Sequence, residues 1–252
     1  MKPDVLSIIG YLEIMSGHSQ FKNIMYRKGA QDARKAKIFS KISREITVAV
    51  KEGGADANNN VRLRSALINA RSENMPNDNI DRAIKKALGG DSDTNYQSIR
   101  YEGYGPGSVA MIVEGLTDNK NRTASEVRSA FSKHGGSLGE SNSVIFQFDH
   151  IGYVLYDKKS ASEEKLFEIA MEYDANDVTT TEDGFEVLCS MEKTVSLRDA
   201  MIEKFGNPLS SGITWRPKNV VAVEAEVLKT LTKLIDALED NDDVQLVVTN
   251  CA

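Results

Sequence analysis

The chain has 252 residues, 40% apolar and 27% charged, an ordinary globular composition that excludes a disordered chain and leaves room for two or three domains. No apolar run approaches the ~20 residues of a membrane-spanning helix. The net charge of −6 conceals an asymmetry: residues 15–90 carry 15 Lys and Arg against 7 Asp and Glu, whereas residues 91–252 carry 15 against 28, and such a split points to a polyanion partner for the basic part.

Val5–Ile14 is mildly apolar but contains Glu13 and lacks a basic lead and a small-residue cleavage site, so no secretory signal is expected. Met15 is the expected natural start, with residues 1–14 an extension.

Residues 15–92 read as a basic helical bundle. Ile38, Phe39, Ile42, Ile46, Ala49 and Val50 recur at helical spacing, and so do Leu63, Ala66, Leu67 and Ala70, then Ile80, Ala83, Ile84, Ala87 and Leu88. Gly53-Gly54 ends the first helix, Asn58-Asn59-Asn60 caps the second, Pro76 stops it and Asn77 caps the third.

Beyond the polar linker the pattern becomes mixed. Strands are expected at Ile99–Glu102 and Val109–Glu114, a helix opened by the capping box Thr123-Ala124-Ser125-Glu126, and a strand at Val144–Phe148. Then follow β (Tyr153–Tyr156), α (Ser162–Tyr173), β (Val178–Thr181), β (Phe185–Ser190), α (Leu197–Phe205) and β (Ile213–Arg216), the ferredoxin-like order. Ser160 with Glu163 and Ser196 with Asp199 offer caps for the two helices. A strand at Val220–Val223, a helix carrying Leu228, Leu231, Ile235 and Leu238, and a strand at Val244–Thr249 close the chain. The fold class expected is α+β: a helical bundle followed by two mixed α/β domains, 93–148 plus 220–252, with 149–219 inserted as the ferredoxin-like unit.

The strongest chemical signal lies on the first long helix. Arg34, Lys37, Lys41, Arg44 and Lys51 fall within an arc of about 100°, opposite the apolar face, and Lys22, Arg27 and Lys28 extend the stripe upstream. Between Met15 and Arg44 the sole acid is Asp32, against eight basic residues. A merely solvated helix face would interleave Glu at i, i+4. Its near absence makes Lys22, Arg27, Lys28, Arg34, Lys37, Lys41, Arg44 and Lys51 the expected contacts to a nucleic-acid backbone.

Other chemistries are weaker. Arg62, Arg64, Arg71, Arg82, Lys85 and Lys86 flank the break at Asn74–Asn77, but a short helix–helix connection is the default in any bundle and no side-chain set there reads bases. Gly103-Tyr104-Gly105-Pro106-Gly107 leads into a strand and lacks the Lys-Ser/Thr of a phosphate loop, so a hairpin turn is expected. Tyr101 and Tyr104 suit base stacking or packing equally. The loop Asp118–Arg122 at a helix N-terminus suits an anion or simple capping. His18, His134 and His150 fit no metal-ligand spacing or nucleophile motif, and Cys189 and Cys251 form no disulfide framework. No enzyme activity, metal or cofactor is expected.

The linked motifs Gly17-His18-Ser19, Asn23-Ile24, Arg27-Lys28, Gln31-Asp32-Ala33, Phe39-Ser40-Lys41 and Arg44-Glu45-Ile46 resemble the YebC/PmpR family, which includes the mitochondrial translational activator of cytochrome c oxidase. The resemblance continues through Asn74-Met75-Pro76 with Asn79-Ile80, Tyr101–Pro106, Thr117-Asp118-Asn119, Asn121-Arg122-Thr123 and Gly135-Gly136 with Leu138-Gly139. It implies three domains, a cytoplasmic protein and no cofactor. Members are described either as DNA-binding transcriptional regulators or as translation factors on ribosomes, especially at proline-rich stretches. The implied partner is therefore DNA or ribosomal RNA, with no membrane and with a monomer as the expected state. The chain departs from the family pattern at Gln20-Phe21 and Met25-Tyr26, where Lys-Trp and Lys-His are common.

Overall fold

The computed structural model describes residues 31–89, 95–181 and 184–252, without the side chains of 31–34. The chain opens with three helices, α1 (Gln31–Gly53), α2 (Val61–Ser72) and α3 (Asn77–Leu88). Both shorter helices pack on α1, burying Ile46, Ala49 and Val50 against Leu63, Ala66, Ala70, Met75, Ile80 and Ala83. Most apolar positions read from helical periodicity meet in this core, but Leu88 is exposed and Ile38 lies outside it. Gly54 takes a left-handed φ of 81° and ends α1, a conformation that a Cβ disfavours. Asn60 caps α2 by accepting from the Leu63 N–H at 3.0 Å, while its amide donates to the Ala49 and Gly54 carbonyls. Asn77 does not cap α3: it is the first helical residue, after Pro76, and no side chain caps that end.

The first sheet has the order β3-β1-β2-β8, built from β1 (Gln97–Tyr104), β2 (Ala110–Thr117), the two-residue β3 (Ser137–Leu138) and the C-terminal β8 (Val244–Thr249). Every pairing is antiparallel. The β1–β2 turn is Gly105–Val109, closed by the Gly105 N–H donating to the Val109 carbonyl at 2.8 Å, with Gly107 at φ 72°; Gly103 and Tyr104, expected in the turn, belong to β1. β2 is buried on both faces. Met111 and Val113 pack under α4 (Lys120–Lys133) and α7 (Ala225–Glu239), while Ala110 and Ile112 face Phe148 and Trp215.

The second sheet has the order β5-β6-β4-β7, from β4 (Phe148–Tyr156), β5 (Asp177–Thr180), β6 (Phe185–Cys189) and β7 (Ser210–Pro217). With α5 (Glu163–Glu172) and α6 (Thr194–Phe205) on one face it has the ferredoxin-like connectivity. The chain returns to the first sheet at β8.

Several local expectations are corrected. α4 begins three residues before the supposed capping box: Asn119 is its cap, and Thr123 is buried inside the helix. Ile145–Gln147 is a 3-10 turn, so the strand expected from Val144 starts at Phe148. Residues 220–223 contribute a single bridge, Val221 to Cys251. Ser160 and Ser196 are not caps, because α5 is entered from Ser162 and α6 from Lys193.

Buried polar groups tie the units together. Glu102, 1% exposed, accepts from the backbone N–H groups of Asn142, Val144 and Ile145. Burial opposes its ionisation, but these donors and Arg100 outweigh it and hold its pKa below the usual carboxylate value. Trp215 joins the sheets, donating to Glu114 at 2.9 Å and stacking on His150 at 4.0 Å. Against the second sheet, α2 sets Arg64 on Asp199 and Ser65 on Arg198.

Candidate nucleic-acid interface

The basic stripe of α1 does not face solvent along its length. Lys37 Nζ reaches Asp240 Oδ1 at 2.6 Å, Lys41 donates to the Glu239 carbonyl at 2.8 Å, and Arg44 pairs with Asp243 at 2.5 Å. These three side chains dock α1 on the C-terminal end of α7 and the acidic loop after it. A helix C-terminus carries partial negative charge and unpaired carbonyls, so cations are favoured there as they are beside a phosphate. Burial lowers the Lys41 pKa, with Glu239 opposing that shift.

Asp243 is the centre of this contact. It is 4% exposed and accepts from Arg44, Arg122, Thr117 and Thr123. Its burial disfavours the charge, yet the four donors outweigh it and bring its pKa down to about 2. Asp118–Arg122, expected as a loop, is the entry to α4 and serves the same centre: Arg122, half exposed, bridges Asp118 and Asp243 and so ties this helix start into the fold. Thr117, Thr123 and Arg122 therefore hold an acidic residue more than a hundred positions away.

Of the other expected contacts, Lys22, Arg27 and Lys28 lie outside the described residues, and Arg34 lies in α1 with its side chain outside them. Lys51 is exposed at the end of α1. On α2, Arg62 is clasped by Glu45 and Glu52, and Arg64 by Asp199. Tyr101 packs on the first core, and Tyr104 accepts from Gln147 and donates to Ser143, so both tyrosines serve packing. The two cysteines are buried and separate.

A different face of α1 presents a cleft of ≈420 Å³ towards α3. Phe39, Ser40, Ser43, Arg44 and Thr47 line it from α1, Asn79, Arg82, Ala83 and Lys86 from α3, and Tyr96 from the entry to β1. These positions recur at i, i+3/i+4 and i+7, one face of each helix. Its charged lining residues are all cations. Arg44 lies 5.4 Å over the Tyr96 ring. Arg82 is positioned by Asn79 Oδ1 at 2.5 Å and the Asp78 carbonyl at 3.2 Å. Lys85 and Lys86 are exposed, as is Lys35 one turn before Phe39, and none of the three has a carboxylate partner among the described residues. Charge counting noted Arg82, Lys85 and Lys86 but left them outside the stripe, and Tyr96 gave no signal. Ser40, Ser43 and Thr47 at helical spacing beside the apolar face were the available clue.

Residues 19–90 match the family model described as the TACO1/YebC protein N-terminal domain, and residues 96–251 match that of the TACO1/YebC second and third domain. A crystal structure of a conserved hypothetical protein from Aquifex aeolicus, Aq1575, is 40% identical, covers 91% of this chain and 95% of its own, and superposes with a TM-score of 0.81. Spanned almost end to end by the two models, the chain belongs to the TACO1/YebC family.

Proposed function

We propose that this chain is a non-enzymatic regulator of gene expression that binds nucleic acid through the α1–α3 face of its helical bundle. Family membership supports a nucleic-acid-related regulator in general. The observation that carries the more specific reading is the cleft: Arg44, Arg82 and Lys86 line it without a carboxylate, and Lys35 and Lys85 stand exposed on the same two helices. Phosphate contacts ask for that arrangement, because each neutralised phosphate releases counterions. Lys37, Lys41 and Arg44 contribute to docking, and Lys51 extends the proposed surface at the end of α1; Lys22, Arg27, Lys28 and Arg34 are further proposed contacts on the grounds of sequence alone.

Two polymers fit a cationic face: promoter DNA, as for a transcriptional regulator, or ribosomal RNA, as for a translation factor acting at proline-rich stretches. The second is favoured by the concave, aromatic-lined shape. RNA is recognised largely through unpaired nucleotides and stacking, whereas duplex DNA is read by a helix or ribbon entering the major groove. Crosslinking in cells followed by sequencing tests this. Reads concentrated on ribosomal RNA are expected; reads at discrete promoters would instead establish the DNA form.

A further inference from the structure

We infer that the α1–α3 cleft is a subsite for one unpaired nucleotide, its phosphate held by Arg82 and Lys86 and its base stacked against Tyr96. This rests on the nucleic-acid reading above and adds to it a particular ligand form.

Size is the first argument. A cleft of ≈420 Å³ lies in the ~300–1,000 Å³ range of sites that enclose small molecules and cofactors. It is a place for one nucleotide lifted from its neighbours, not for a helical backbone, which needs an extended surface.

The lining is divided by chemistry in the way a nucleotide is. The α3 edge is cationic. Arg82 is fixed by Asn79 and the Asp78 carbonyl, so its guanidinium is arranged before an anion arrives, and Lys86 stands one turn further along the same helix. Arg44 differs from these two. Its charge is matched by Asp243 at 2.5 Å, and its guanidinium carbon lies 5.4 Å from the centre of the Tyr96 ring. Arg44 therefore serves the wall of the cleft, and the phosphate falls to Arg82 and Lys86. The Tyr96 ring, with the Arg44 cation beside it, offers a face on which a base can stack, the mode used for splayed-out bases. Along α1 lie hydroxyls. Thr47 donates back to the Ser43 carbonyl at 2.8 Å, which leaves the Ser40 and Ser43 hydroxyls to pair with a base edge or a ribose 2′-OH as donor or acceptor.

The test uses the full chain and a short fluorescein-labelled RNA, offered single-stranded and annealed to its complement, at matched moderate salt. Circular dichroism confirms that each variant is folded. The wild type should prefer the single strand. Tyr96→Leu should weaken single-strand binding about tenfold, as expected for loss of one base–aromatic stack, and leave duplex binding unchanged. Tyr96→Phe should restore the preference. Should Tyr96→Leu fail to fold, the surface pair Arg82→Gln with Lys86→Gln replaces it and should weaken the single strand more than the duplex. A folded Tyr96→Leu protein with unchanged single-strand affinity, or equal weakening of both polymers by the Gln pair, would overturn the subsite and leave the nucleic-acid reading standing. A wild type that binds neither polymer would overturn both.

Discussion

At the scale of the residue, Asp243 decides most. A carboxylate at 4% exposure is tolerated because Arg44, Arg122, Thr117 and Thr123 all donate to it. Its pKa of about 2 lies below the unfolded value of 3.8, so it stabilises the folded state fully above the unfolded value and loses that contribution as pH falls through the folded one. The shift corresponds to about 2 kcal/mol. Chemical denaturation followed between about pH 5 and pH 2 should show this loss in the wild type and a correspondingly weaker dependence in Asp243→Asn. Arg44→Ala should cost about 2–3 kcal/mol, below the ~3–5 of a fully severed buried pair, because Arg122 remains on the carboxylate. None of this was legible in the sequence. Asp243 sits in an acidic run that reads as solvated, and its partners come from two distant segments, Arg44 and residues 117–123.

At the scale of the element, α1 shows where helical phasing succeeds and where it stops. Periodicity identified the inward face, because burial of Ile46, Ala49 and Val50 follows from the 3.6-residue repeat alone. The opposite face was identified as cationic, but phasing says nothing about what a cation meets. Here the carbonyl end of α7 and its acidic loop occupy Lys37, Lys41 and Arg44. Reversing these three residues to Glu should therefore act first on the docking of α1, visible as a lowered Tm. Arg44 should dominate that effect, and Lys37, in an exposed pair with Asp240, should contribute no more than ~1 kcal/mol. Helix ends were partly legible. Asn60 was expected among the caps and is one, whereas the Thr123 box was displaced by Asn119, since Thr123 is drawn inward to Asp243. Asn60→Ala should cost about 2 kcal/mol, measured by denaturant unfolding, combining a lost N-cap with the loss of the amide's bonds to the buried Ala49 carbonyl and the partly exposed Gly54 carbonyl.

At the scale of the whole molecule, the two antiparallel sheets and the leading bundle follow the order of apolar patterns along the chain, which is why the architecture could be read without coordinates. The candidate site could not be read in the same way. It is a concave surface formed where α1, α3 and the approach to β1 converge, and Tyr96 reaches it only through tertiary packing. In the proposed reading, the cations that meet the partner lie towards α3 rather than on the outer stripe of α1. The most direct measurement is the affinity of the full chain for RNA across a salt titration, wild type against a double Arg82→Glu, Lys86→Glu variant shown to be folded. The double reversal should reduce affinity at least about tenfold at moderate salt and flatten the dependence of log affinity on log salt by about 1, for the single phosphate that the pair holds. Unchanged affinity and slope in the folded variant would contradict the assignment of the α1–α3 face as the nucleic-acid surface.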